Sequence, residues 1–143
     1  MAPMNAYLTI MGIETLALRM EKHVANAEVV ANYLHNHAKV SWVSYAGLEE
    51  SNYFHLAKKY LPKGAGSVFT FGIKGGYDAG VKFVEKCQLL SHLANIGDTR
   101  SLVLHPASTT HRQLTETQRI SAGAGDDVIR LLSLIHISEP TRQ

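Results

Sequence analysis

One cysteine, Cys87, is the only thiol in this chain of 143 residues. No internal disulfide can form, and a reducing compartment, the cytoplasm, is the expectation. No apolar run approaches the roughly 20 residues that a helix needs to span a bilayer. The first ten residues, "MAPMNAYLTI", lack the basic segment and long apolar core of a secretory signal. Charge of one sign is also scarce. The 14 Lys and Arg against 12 Asp and Glu leave +2, and no basic block exceeds the pair Lys58 and Lys59. That is too weak a field for a nucleic-acid or membrane-surface binder. Low-complexity tracts and internal repeats are missing, so one domain is the default at this length. Its core is too small to enclose a large active site alone.

What is present is ordinary globular composition, 45% hydrophobic and 18% charged. Residues 3–36 read as helix. Pro3 suits a first turn, and Leu16, Met20, Val24, Ala27, Val30, Ala31 and Leu34 keep helical spacing. Arg19, Glu21, Lys22, Glu28 and Asn32 fall between them as a solvated face, and Gly12 is the point where a break or bend is expected. Residues 39–45 read as a strand, 52–61 as a helix stopped by Pro62, and 67–74 as a buried strand. Residues 77–87 read as a helix, and 89–97 are ambiguous with a short strand possible. Residues 101–106 read as a strand followed by a stop. Thr115 and Gln118 have capping-box spacing, with Gly123 closing that helix, and "DVIRLL" reads as a last strand. Strands interleaved with helices after one long helix predict an α/β layer, a small sheet covered on one side.

The candidate chemistry is sparse. Eight histidines invite a metal, but His35 and His37 do not share a helix face and no HExxH or Cys/His spacing occurs, so no metal site is expected. The glycines of "KGAGSVFTFGIKGG" fail the phosphate-loop spacings and read as turns around a strand. Cys87 ends an amphipathic helix without an evident base, so it reads as a packed thiol rather than a nucleophile. Arg130 is different. It stands inside a run of Val, Ile and Leu, where a charge costs free energy unless paired. Two partners fit its planar fork: an internal carboxylate, Asp126 or Asp127, or the carboxylate of a ligand held on the strand. No nucleophile with a matched base, and so no catalytic residue, is legible.

Four segments add more: "NAYLTIMGIETLALRMEKHVANAEVVANYL", "YAGLEES", "LANIGDTRSLVLHPASTTH" and "DDVIRL". From about residue 2 to Leu131 the chain resembles the C-terminal domain of the Cys/Met-metabolism family of pyridoxal-phosphate enzymes. Within it, the run around Asn95 is most similar to the O-acetylhomoserine sulfhydrylase branch; the lyases tend to carry Ser there. The resemblance implies the small domain of the type I pyridoxal-phosphate fold, a short, mostly antiparallel sheet under helices, entered by a long helix. It implies γ-replacement on O-acetylhomoserine by sulfide or methanethiol, giving homocysteine or methionine. The alternatives are cystathionine γ-synthase, methionine γ-lyase, or a free-standing binding or dimerisation module. It also implies pyridoxal 5'-phosphate as cofactor, a small amino-acid substrate, no nucleic acid or membrane partner, and a homotetramer for the whole enzyme.

Two residues match the family's motifs for the substrate α-carboxylate: Arg130 in the strand motif, and Asn95 in "ANIG", whose amide can donate to a carboxylate. "HPASTTH" (105–111) is expected to be structural, with His105 and Pro106 setting a turn. The family's Schiff-base lysine lies upstream in a Ser-x-Thr-Lys context that none of the eight lysines here has. The expectation is therefore a domain over 1–131, inactive alone. After "IRL" the family pattern is lost, and "LSLIHISEPTRQ" (132–143) is expected to be a non-native read-through tail.

Overall fold

The computed structural model describes residues 1–136. Two helices open the chain, α1 (Pro3–Glu14) and α2 (Leu16–His35). The single helix expected over 3–36 is thus interrupted, and at Thr15 (φ −100°, ψ 0°) rather than at Gly12. The Arg19 guanidinium sits at that junction. It donates to the Gly12 carbonyl at 3.1 Å and to Thr15 Oγ1, so both positions are tied to the start of α2. α1 buries none of its residues; Tyr7, Leu8, Ile10, Met11 and Ile13 all face solvent.

The remaining elements are β1 (Val40–Ser44), α3 (Phe54–Tyr60), β2 (Phe69–Ile73), α4 (Gly76–Lys86), β3 (Ser91–His92), β4 (Leu102–Leu104), α5 (Glu116–Ser121) and β5 (Val128–Leu132). Each lies within or close to the stretch expected for it. The ambiguous 89–97 region supplies only the two residues of β3. The strands form one sheet in the order β1-β2-β5-β4-β3. All pairings are antiparallel except β3 with β4, so the sheet is mixed, and β5 lies at its centre.

Side chains alternate across a strand, and this divides the core. Phe69, Phe71, Val103, Ile129 and Leu131 point to the face covered by α2 and α4, against Ala27, Ala31 and Val84. The two alanines are four apart on α2, and their small side chains let the helix lie close to the sheet. Full burial of a side chain such as Phe71, 1% exposed, contributes about 1.5–3 kcal/mol. The opposite face carries a smaller cluster of Leu102, Leu104 and Leu132 with Leu93 packed on it.

Two local devices set the path between strands. The reciprocal capping box of Thr115 and Gln118 starts α5 as expected. At "HPAST", Pro106–Ser108 form a short 3-10 turn, and His105 is buried with Nε2 2.9 Å from the Asp126 carbonyl and Nδ1 3.0 Å from Ser108 Oγ. Tyr77 meets that imidazole edge-on, and Gly80 of α4 passes so near that an added Cβ would lie 2.7 Å from the ring.

Packing continues beyond Leu131. Leu132 completes β5, and Ser133 and Leu134 are fully buried. Asn26 Nδ2 donates to the Leu134 carbonyl at 2.7 Å, and the amides of Ile135 and His136 donate to Ser101 Oγ. The rest of the expected tail, 137–143, lies outside the described residues.

Candidate functional site: a central-strand arginine and its neighbouring turn

Arg130 occupies the middle of β5, opposite Thr70 of β2 and Leu104 of β4. Its neighbours Ile129 and Leu131 point into the main core, so Arg130 lies on the other face, with Leu132 two residues on. It is only half-buried, unlike the four other residues of the strand, which are buried.

Both internal carboxylates that fitted Arg130 from the sequence are engaged elsewhere. Asp126 Oδ1 accepts from Arg119 Nη2 at 2.9 Å. Asp127 Oδ2 accepts from Trp42 Nε1 at 3.0 Å, across the surface of Gly72. A Cβ on Gly72 would collide with that carboxylate and with the indole, so glycine keeps the crossing open. Among the described residues Arg130 forms no ion pair and no side-chain hydrogen bond. The internal-partner reading of its charge is therefore overturned: the two aspartates had closer donors.

Asn95 lies three residues beyond β3 in an exposed turn. Its Oδ1 accepts the Ile96 amide at 2.9 Å, and its Nδ2 donates to Asp98 Oδ2 at 3.0 Å. Asp98 is the hub of this turn. Its side chain is 9% exposed and also accepts from the Arg100 guanidinium at 3.1 Å and the Arg100 amide at 3.0 Å. These donors, the Arg100 side chain first and Asn95 next, hold the Asp98 carboxyl down at about 2. The turn docks on the end of β5, where the Asp98 amide donates to Ser133 Oγ at 3.3 Å, three residues past Arg130. Asn95 and Arg130 are thus carried by adjoining segments but share no hydrogen bond.

The turn has a second anchor that sequence reading missed. Arg19, expected on a solvated face, is half-buried and donates from Nε to the Gly97 carbonyl at 3.2 Å. His23 is fully buried, with Nε2 3.0 Å from the Asp98 carbonyl, and Asn26 grips Leu134. Arg19, His23 and Asn26 follow at intervals of four and three, one stripe of α2. That spacing of polar residues was the available signal, hidden because the apolar positions beside it keep the same period.

The other candidates fall away as chemistry. Burial pushes the Cys87 thiol up, which disfavours the nucleophilic thiolate. Every lysine of the chain is exposed. A lysine that carries pyridoxal phosphate must sit in a closed pocket beside groups for the phosphate and ring. No such set occurs among the described residues.

The half-buried Arg130 guanidinium on this small mixed sheet has no acidic partner among the described residues, and the turn that carries Asn95 docks at the end of the same strand. The family model for Cys/Met metabolism PLP-dependent enzymes matches residues 1–135, and the chain belongs to that family. Among curated relatives it is 51% identical over 138 residues to a homocysteine synthase of Schizosaccharomyces pombe, covering 96% of this chain and 32% of that one. It is 43% identical over 140 residues to O-acetyl-L-homoserine sulfhydrylase 1 of Thermus thermophilus, covering 97% and 33%. A Campylobacter jejuni structure assigned as an O-acetylhomoserine (thiol)-lyase, with N'-pyridoxyl-lysine-5'-monophosphate, superposes with a TM-score of 0.84 at 44% identity, covering 92% of this chain and 31% of that one. Cystathionine γ-synthase of Xanthomonas oryzae, solved with aminoacrylate and cysteine, gives 0.81 at 34%, covering 96% and 35%. The chain spans about a third of the length of the relatives it matches.

Proposed function

We propose that this chain is the substrate-carboxylate wall of an enzyme that replaces the acetate of O-acetyl-L-homoserine with sulfide or methanethiol, yielding homocysteine or methionine. Pyridoxal phosphate supplies the electron sink for such chemistry when bound. This chain's residues do something narrower. Arg130 pairs its fork with the amino acid's α-carboxylate, and Asn95 donates one amide N–H to the same group. Both hold the substrate in register, a real contribution because misplacement lowers rate steeply. The observation that carries the reading is the central-strand guanidinium whose two plausible acidic neighbours are taken by Arg119 and Trp42. On this reading the chain alone has no turnover, and it acts as a domain, packed through His136 rather than ending at Leu131, beside a larger cofactor-bearing one. Relatives named as sulfhydrylases or homocysteine synthase at 43–51% identity favour this branch over cystathionine γ-synthase at 34%.

The test is a chimaera in which residues 1–136 replace the matching third of the S. pombe homocysteine synthase. Arg130→Ala is expected to raise KM for O-acetylhomoserine by about 10- to 100-fold, as a charged hydrogen bond is worth roughly 1.5–3 kcal/mol. An unchanged KM removes Arg130 from the site. Faster turnover of cystathionine-forming substrates than of sulfide moves the chain to the other branch.

A further inference from the structure

We propose that Asp98 is a positioning residue for carboxylate recognition: it fixes the rotamer and the amide orientation of Asn95 so that a single N–H is left to face the substrate. The proposal rests on the assignment of Asn95 and Arg130 to the substrate carboxylate.

An asparagine amide offers two N–H donors and one carbonyl, and left alone it rotates and flips between them. Facing a carboxylate, a flipped Asn95 would present its oxygen and repel the ligand. Two contacts forbid this. The Ile96 amide donates to Oδ1 at 2.9 Å, and Asp98 Oδ2 takes one Nδ2 proton at 3.0 Å. Neither would survive the flip, since Nδ2 would then oppose the Ile96 N–H and Oδ1 would oppose the Asp98 carboxylate. The second Nδ2 proton has no partner among the described residues.

Asp98 is itself held on every side. Arg100 binds it through Nε at 3.1 Å and through its backbone amide at 3.0 Å. Its own amide donates to Ser133 Oγ at 3.3 Å, its carbonyl lies 3.0 Å from His23 Nε2, and the preceding carbonyl accepts from Arg19 at 3.2 Å. The anion that orients Asn95 is therefore built into the strand that bears Arg130 and into α2. A carboxylate this close to a second, incoming carboxylate would repel it if unpaired. Arg100 offsets that charge, which leaves the orienting contact without the electrostatic cost.

In the chimaera, Asp98→Ala is expected to raise KM for O-acetylhomoserine about fivefold, the worth of one oriented hydrogen bond, with kcat nearly kept. A fold defect would lower turnover of any substrate. The discriminating readout is therefore the preference for O-acetylhomoserine over its carboxamide analogue. That ratio falls about fivefold in Asp98→Ala and in Asn95→Ala, and no further in the double variant, because both substitutions remove the same contact. Independent, multiplicative losses in the double variant would overturn the proposal, as would an unchanged ratio in Asp98→Ala. Loss of preference in Arg130→Ala alone would sustain the carboxylate assignment while refuting the role of Asp98. An Arg130→Ala variant with unaltered preference would instead refute the parent reading. A second readout needs no activity. In the 143-residue chain the Asn95 Nδ2 proton that faces Asp98 is expected downfield of the usual asparagine amide position, returning to it in Asp98→Ala; a shift that the substitution leaves alone refutes the contact.

Discussion

Replacing Gly80 with alanine should weaken the fold, against the usual effect of that substitution. In an exposed helix Gly→Ala gains about 1 kcal/mol from helix propensity. Here the new methyl would lie 2.7 Å from both Cδ2 and Nε2 of His105, well inside contact distance. The ring cannot step aside cheaply. It is 1% exposed, tied to the Asp126 carbonyl at 2.9 Å and to Ser108 at 3.0 Å, with Tyr77 against it. Displacing it forfeits two hydrogen bonds of about 1 kcal/mol each and strands a buried carbonyl at a cost of about 1–3 kcal/mol. The balance is a loss of about 2–4 kcal/mol. Pulse proteolysis in urea, at chain concentrations low enough to suppress association, measures it. In a His105→Ala background the steric conflict is gone, and Gly80→Ala should be neutral or stabilising. A gain of about 1 kcal/mol in the parent background would refute the reasoning, because it would mean that helix and imidazole do not meet.

Three further outcomes follow from the same contacts. A chain ended at His136 should be more stable than one ended at Leu131 by roughly 2–5 kcal/mol, since the shorter one deletes the fully buried Leu134; equal urea midpoints would place the domain boundary at Leu131 after all. Burial, with Glu28 adding to it, pushes the Tyr45 phenol up to about 12 from 10.0. Its folded value exceeds its unfolded one, so its contribution is complete below pH 10 and declines as pH rises towards 12, and Tyr45→Phe should flatten that alkaline loss in a stability–pH profile. Finally, the exposed Tyr7, Leu8, Ile10, Met11 and Ile13 of α1 should make the chain self-associate in a concentration-dependent way, visible by light scattering; a monomer at high concentration would contradict it.

Much of the architecture was legible because periodicity and punctuation agree in this chain. The strand at residues 69–73 carries dense apolar residues, and the box at Thr115 and Gln118 is a strictly local signal. The helix break was misplaced because glycine was weighed for its backbone freedom alone. The decisive contact, Arg19 with Thr15 and Gly12, depends on where a long side chain turns back. The anomaly of Arg130 was readable as an uncompensated charge in an apolar run, but its surroundings were not. Which of several donors claims Asp126 and Asp127 is settled by Arg119 and Trp42, the latter 85 residues away in sequence. The roles of Arg19 and His23 escaped for the same reason, since their partners at Gly97 and Asp98 are brought near only by the sheet.

Helix α2 is fastened by Arg19 and His23 to one segment and by Asn26 to another, all on main-chain oxygens. Because each acceptor is a main-chain atom, exchanging the side chain of Asp98 or of Leu134 leaves that acceptor in place, so the edge of α2 is held by the path of the backbone rather than by the identity of the residues it meets.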